Sequence, residues 1–157
     1  MKLLVMSDTH GNTSLALQAC RLAHPFDAVV HLGDGSGDTE LLRNTLNVNL
    51  IQVAGNCDNG LSAPRELLWE CEGKRILLVH GDAYRVKSGL GRLEIRAIEV
   101  GVDVVLFGHT HCATITTLSK ILFVNPGTLM HPSHHATYAL LEISQTSIKA
   151  ELFDISP

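Results

Sequence analysis

Leu3-Leu4-Val5-Met6-Ser7-Asp8-Thr9-His10 holds the pattern that decides the fold: four apolar residues, then almost at once a carboxylate and an imidazole. Four residues are too few for a helix, and a short apolar run ending in polar residues reads as a strand buried on both faces. The pattern recurs along the chain. Residues 28–32 lead to Asp34, 50–53 to Asn56, 76–79 to His80, and 104–107 to His109 and His111. Between these runs lie segments of helical period: 13–23 with Leu15, Ala19 and Leu22 on one side, a weaker one at 39–46, and 90–100 with Leu90, Leu93, Ala97 and Val100 in register. Alternating strands and helices predict an α/β sheet with right-handed crossovers. Beyond residue 112 the character changes. Residues 113–117, 121–124, 137–143 and 147–153 read as strands joined by short turns, and the expectation is that these antiparallel hairpins finish a second sheet.

Composition sets the outer bounds. At 157 residues, 45% hydrophobic and 18% charged, with a net charge of −4, the chain fits one domain spanning 1–157 and needs no disulfide or structural metal to fold. The acidic balance and the lack of basic clusters argue against a long nucleic acid as partner. No secretory pattern opens the chain and no apolar stretch reaches membrane-spanning length, so a soluble cytoplasmic protein without membrane attachment is expected. Cys20, Cys57, Cys71 and Cys112 are scattered and show no zinc spacing, as free thiols in a reducing compartment would be.

In open α/β sheets, ligands bind just outside the carboxyl ends of the strands. Asp8, His10, Asp34, Asn56, His80, His109 and His111 should therefore converge on one crevice. Singly, each has an ordinary explanation as a turn former, helix cap or hydrogen-bonded histidine. Together they would crowd carboxylates and imidazoles without charge balance unless cations joined them. Imidazole, carboxylate and amide without thiolate suit Mn²⁺, Ni²⁺, Zn²⁺, Fe or Co²⁺. Two such ions about 3.5–4 Å apart clamp the attacking and leaving oxygens of an in-line displacement and generate hydroxide near neutral pH.

The ordered motifs Asp8-Thr9-His10, Gly33-Asp34, Gly55-Asn56, His80-Gly81 and Gly108-His109-Thr110-His111 resemble those of the calcineurin-like metallophosphoesterases. The short length, the stretch from His80 to Lys87, and Asn125-Pro126-Gly127-Thr128 are most similar to the small YfcE-like phosphodiesterases of bacteria and archaea. The resemblance implies a four-layer α/β/β/α sandwich of two mixed sheets flanked by helices. It also implies a phosphodiesterase with a dinuclear, most readily Mn²⁺, centre. On that pattern Asp8, His10 and His111 serve one ion, Asn56, His80 and His109 the other, and Asp34 bridges; Asp34, Asn56 and Asp58 are the catalytic candidates. The substrate would be a small phosphate ester, nucleotide-like molecules among them, and the oligomer a homodimer. A docking scaffold is the rival role, because a eukaryotic retromer subunit resembles the same small family.

The chain departs from larger relatives at one telling place. Where these carry a histidine after Gly-Asn, followed by an acidic residue, this chain has Cys57-Asp58. A general acid contributes about 10²–10⁴-fold, and a cysteine is no assured replacement for one. Asp58 could act through a water or simply shape the turn. Asp38 and Glu40 read as charges at a helix N-terminus, Arg85 and Lys87 as solvated or phosphate-contacting cations, His131, His134 and His135 as an exposed loop, and Cys112 as a small buried side chain.

Overall fold

The computed structural model describes residues 1–60, 62–130 and 135–155. Strands β1 (Lys2–Met6), β2 (Ala28–His31) and β3 (Leu50–Gln52) alternate with helices α1 (Thr13–Ala23) and α2 (Ser36–Leu46). Then come β4 (Glu66–Cys71) and β5 (Lys74–Val79), two short 3₁₀ turns at 82–84 and 86–88, and α3 (Gly91–Val100). The chain closes with β6 (Val104–Leu106), β7 (Thr114–Leu118), β8 (Ile121–Asn125), β9 (Ala136–Ile143) and β10 (Ile148–Ile155). One sheet has the order β10-β9-β1-β2-β3 and the other β4-β5-β6-β8-β7. Both are mixed: β1, β2 and β3 run parallel, as do β5, β6 and β8, with antiparallel strands outside them.

Side-chain alternation explains the layering. In β1, Leu3 and Val5 point between the sheets, where they join Val30, Leu32, Ile76, Leu78, Val104, Leu106 and Val124. Leu4 and Met6 point the other way, against Ala16 and Ala19 of α1 and Leu42 of α2. The second sheet does the same, turning Leu77, Val79, Val105, Phe107 and Phe123 toward Leu93 and Ala97 of α3. Strands covered on both faces must be apolar at every position, which is why the runs are continuous. The result is the expected four-layer α/β/β/α sandwich of two mixed sheets.

Two features differ from the sequence expectation. Only the β7–β8 hairpin finishes the second sheet; β9 instead lies antiparallel to β1, with Leu3 opposite Leu141 and Val5 opposite Ala139, so the last hairpin completes the first sheet. The free edge of β1 requires a partner, and Ala139, Leu141 and Ile143 supply the apolar face that joins the core between the sheets. The sequence pattern also passed over β4. Its Glu-Leu-Leu-Trp-Glu-Cys is an edge strand with charges on it, as edges carry to avoid pairing with other chains.

Candidate metal centre

All seven motif side chains lie just beyond the carboxyl ends of β1, β2, β3, β5 and β6. Backbone hydrogen bonds beyond the strands stitch their loops together: Asp8 N–H donates to Gly33 O at 3.0 Å, His10 N–H to Asp34 O at 3.0 Å, and Gly108 N–H to His80 O at 2.9 Å. The turns that aim the side chains are costly. Asp8, His10, Asp34, His109 and His111 all hold positive φ, between 45° and 67°, at about 1–3 kcal/mol each for a non-glycine residue. Such conformations persist where the surrounding packing enforces them, and here five of the seven candidate donors share the device. At Gly33 the loops come so close that a Cβ would sit 2.5 Å from Gly55 N and 2.9 Å from His80 Nδ1.

Donor atoms meet at metal-ligand spacing. His80 Nε2 is 3.4 Å from Asp34 Oδ2, 3.2 Å from Asn56 Oδ1 and 3.1 Å from His109 Nδ1. His111 Nε2 is 3.1 Å from Asp8 Oδ1, and His10 Nε2 lies 3.8 Å from Asp8 Oδ1 and 3.7 Å from Asp34 Oδ2. Two ligands on one ion, each about 2.0–2.2 Å away, stand about 2.8–3.6 Å apart at octahedral or tetrahedral angles. Asp8, His10 and His111 cluster together, as do Asp8, Asp34 and His80, while Asn56 and His109 meet His80, so Asp34 Oδ2 faces both His10 and His80.

Groups behind these donors fix how they point. The His80 Nδ1–H donates to the Leu32 carbonyl at 2.8 Å, and a carbonyl can only accept, so Nε2 is the nitrogen left facing the centre and the one that would give its lone pair to a metal bound there. Asp8 is fully buried; its Oδ2 accepts from Ser7 Oγ at 2.5 Å and His109 N–H at 3.0 Å, while Oδ1 remains turned toward His111 and His10. Burial pushes the Asp34 carboxyl up, but hydrogen bonds from His80 and the Cys57 amide more than reverse this and hold it well below the usual carboxylate range. Burial also opposes protonation of His80, yet Asp34 and Asp8 raise its pKa, whereas burial and His80 lower that of His109. His80 Nε2 and His109 Nδ1, 3.1 Å apart, cannot both carry a proton, so at least one of them has its lone pair exposed to the centre.

Asp58 is in none of the candidate ligand clusters among the described residues. Its carboxylate accepts three backbone N–H bonds, from Asp34 at 2.6 Å, Gly35 at 2.9 Å and Gly55 at 2.8 Å, and so clamps the loop after β2 to the loop after β3. Asp38 is buried and bridges α2 to the loop after β1 through Gly11 N–H and Thr13 Oγ. Glu40, Arg85 and Lys87 are exposed, although the Lys87 charge is near enough to lower the His109 pKa. Cys112 is exposed, not buried as the sequence suggested, since it follows His111 on the open side of the crevice. Of the late histidines, His131 and His134 lie outside the described residues and His135 is exposed.

Several supporting residues carried no legible sequence signal. His31 is buried; Gly33 N–H donates to its Nδ1, so Nε2–H donates to Thr9 Oγ1, and burial lowers its pKa to about 4. Arg65 donates to Gly55 O and to Asp82, tying the Asn56 and His80 loops together. Thr128 Oγ–H holds the Asp8 carbonyl, and Asn125 Nδ2 holds the Gly108 carbonyl. The Asn-Pro-Gly-Thr stretch stands out in the sequence, but its target does not.

Known proteins share both the sequence pattern and the fold. The model of the calcineurin-like phosphoesterase superfamily domain matches residues 1–146. The chain is 32% identical over 157 residues to the "Probable metallophosphoesterase YsnB" of Bacillus subtilis (strain 168), covering 98% of this chain and 91% of that one. It is 27% identical to the phosphodiesterase YfcE of Escherichia coli (strain K12), over 96% of this chain and 92% of that one. The crystal structure of a predicted phosphoesterase from Streptococcus pneumoniae TIGR4 superposes with a TM-score of 0.82 at 28% identity, covering 98% of this chain and 88% of the other. With the family match running from β1 through β9, across every strand end that bears a candidate donor, the chain belongs to the calcineurin-like phosphoesterase superfamily.

Proposed function

We propose that this chain is a phosphodiesterase whose residues 1–157 form one domain and whose Asp8, His10, Asp34, Asn56, His80, His109 and His111 hold two divalent transition-metal ions, Mn²⁺ foremost. The observation that carries the reading is the convergence of the seven donors, each 3.1–3.8 Å from at least one other, with Asp34 Oδ2 facing both His10 and His80. Two ions bound there would supply Lewis acidity at the phosphoryl oxygens and acidify a water to a pKa of about 7.

The chain's own residues prepare that chemistry. Asp8 and His111 are held for the first site by Ser7 and the His109 amide, and His80 is held in the correct tautomer for the second by Leu32. Asp34 offers Oδ2 to both sides while Oδ1 is anchored by the Cys57 amide. A cavity of about 180 Å³ opens beside them, lined by His10, Asp34, Gly35, Asp38, Cys57 and Asp58 among others, which suits a phosphoryl group and not a duplex. No imidazole stands at position 57 to protonate a leaving oxygen, which favours esters whose leaving groups depart as anions. No helix among the described residues is long and apolar enough to cross a membrane. A cytoplasmic homodimer acting on small, nucleotide-like diesters completes the reading.

The test is elemental analysis of the purified protein with turnover of bis(p-nitrophenyl) phosphate across Mn²⁺, Ni²⁺, Co²⁺ and Zn²⁺, before and after chelation. About two ions per chain and metal-dependent turnover are expected. Metal bound without turnover would favour a docking role, and no metal bound would end the reading.

A further inference from the structure

We propose that Cys57 is a further, thiolate donor to the ion held by His10 and Asp34, a soft ligand that lets the centre take Zn²⁺, Co²⁺ or Fe²⁺ in a coordination that Mn²⁺ does not share. The proposal rests on the metal-centre reading above. His10, Asp34 and Cys57 each offer a ligand atom within 4.8 Å of the others, and all three line the 180 Å³ cavity. A metal–sulfur bond of about 2.3 Å and a metal–nitrogen or metal–oxygen bond of about 2.0–2.2 Å span up to about 4.5 Å, a reach comparable with the 4.8 Å within which these atoms already lie.

Two hydrogen bonds favour the sulfur in that place. The Cys57 amide donates to Asp34 Oδ1 at 2.8 Å, which pins residue 57 beside the carboxylate. Asn56 Nδ2–H donates to Cys57 Sγ at 3.2 Å while Asn56 Oδ1 faces His80, so one amide supports both a sulfur acceptor and the second site. A hydrogen bond donated to sulfur is stronger to a thiolate than to a thiol. As the sulfur–metal bond forms, the S–H bond breaks and its proton passes to solvent; no electrons are transferred. Cys20 and Cys71 are buried in or beside the apolar layers, and Cys112 belongs to no candidate ligand cluster among the described residues, so Cys57 is the thiol a metal there would engage.

The experiment titrates the metal-free protein with Co²⁺ and follows the spectrum, using the native chain, Cys57→Ser and Cys112→Ser. A near-ultraviolet sulfur-to-cobalt charge-transfer band should grow with the visible cobalt bands in the native chain and in Cys112→Ser, and be missing in Cys57→Ser. Zn²⁺ affinity of Cys57→Ser should fall on the order of ten- to a hundredfold, a range familiar for groups around a metal, with Mn²⁺ affinity unchanged, which also shows that the variant is folded. Cobalt bound without the charge-transfer band, a band that survives in Cys57→Ser, or equal losses of Mn²⁺ and Zn²⁺ affinity would overturn the thiolate and leave the metal centre standing. Failure of the native chain to bind cobalt would overturn both.

Discussion

Asp34 and Asp58 are both acidic, both follow a glycine-containing turn, and both belong to the same corner of the molecule, yet the structure gives them different work. Asp34 faces His10 and His80 from one carboxylate oxygen, whereas Asp58 spends both oxygens on backbone amides. Asp34→Asn should therefore abolish binding of one or both ions and cut turnover more than Asp58→Asn. Asp58→Asn should mainly raise the metal dissociation constant, roughly 10–100-fold, by loosening the loops. Metal titration of both variants checks this, and equal loss of turnover at saturating metal would mean Asp58 touches the reaction itself. At position 57 the expected gain runs the other way. With Mn²⁺ in the centre, Cys57→His should raise hydrolysis of alkyl phosphate esters while changing aryl esters little, because an alkoxide needs a proton as it leaves and a phenolate of low basicity does not. A plot of log rate against leaving-group pKa should slope steeply in the native enzyme. A flat line would show that another group already supplies the proton.

At the scale of elements, a polar network ties β4, the turn at 82–84 and α3 together: Glu66 accepts from Arg96 Nη2 at 2.6 Å and from the Tyr84 hydroxyl. The Arg96 hydrogen bonds outweigh partial burial and lower the Glu66 pKa. A carboxyl whose folded pKa is depressed contributes stability above its unfolded value, near 4.5, and loses it as pH falls through the folded one. Glu66→Gln should accordingly lower Tm at pH 7, with the gap narrowing as pH drops below about 4.5. Thermal melts from pH 7 to 3 read this directly, and a gap independent of pH would assign the effect to packing. Apolar layering makes a second, larger demand. Phe107 is 2% exposed between the second sheet and α3, so Phe107→Ala should cost about 3–5 kcal/mol. The damage would also reach the centre, because Phe107 leads directly into Gly108 and His109. Denaturant melts with and without metal separate the two effects.

For the whole molecule, the proposed centre couples metal binding to folding. Five strand ends from two sheets supply the donors, so ions that bind only the folded chain must stabilise it, by about 2.7 kcal/mol at a hundredfold excess over the dissociation constant. Chelation should lower Tm, and Mn²⁺ should restore it. The physical source is the repulsion between the Asp8 and Asp34 carboxylates, held close together in the crevice, which bound cations would relieve. Amino-acid order by itself determined that short apolar runs alternate with helices and that each run from β1 to β3, and again at β5 and β6, ends in a ligand-capable side chain. Those are local facts: burial on both faces demands unbroken apolar residues, and turns at strand ends demand glycine and small polar groups. Tertiary structure alone decided that β9 and β10 return to β1, that a charged edge strand β4 flanks β5, and that Asp58, His31 and Arg65 act on loops distant in sequence. A strand's period states which face it buries but not which free edge it will join, and a hydrogen-bonding side chain carries no mark of the backbone amide that the fold will bring to it.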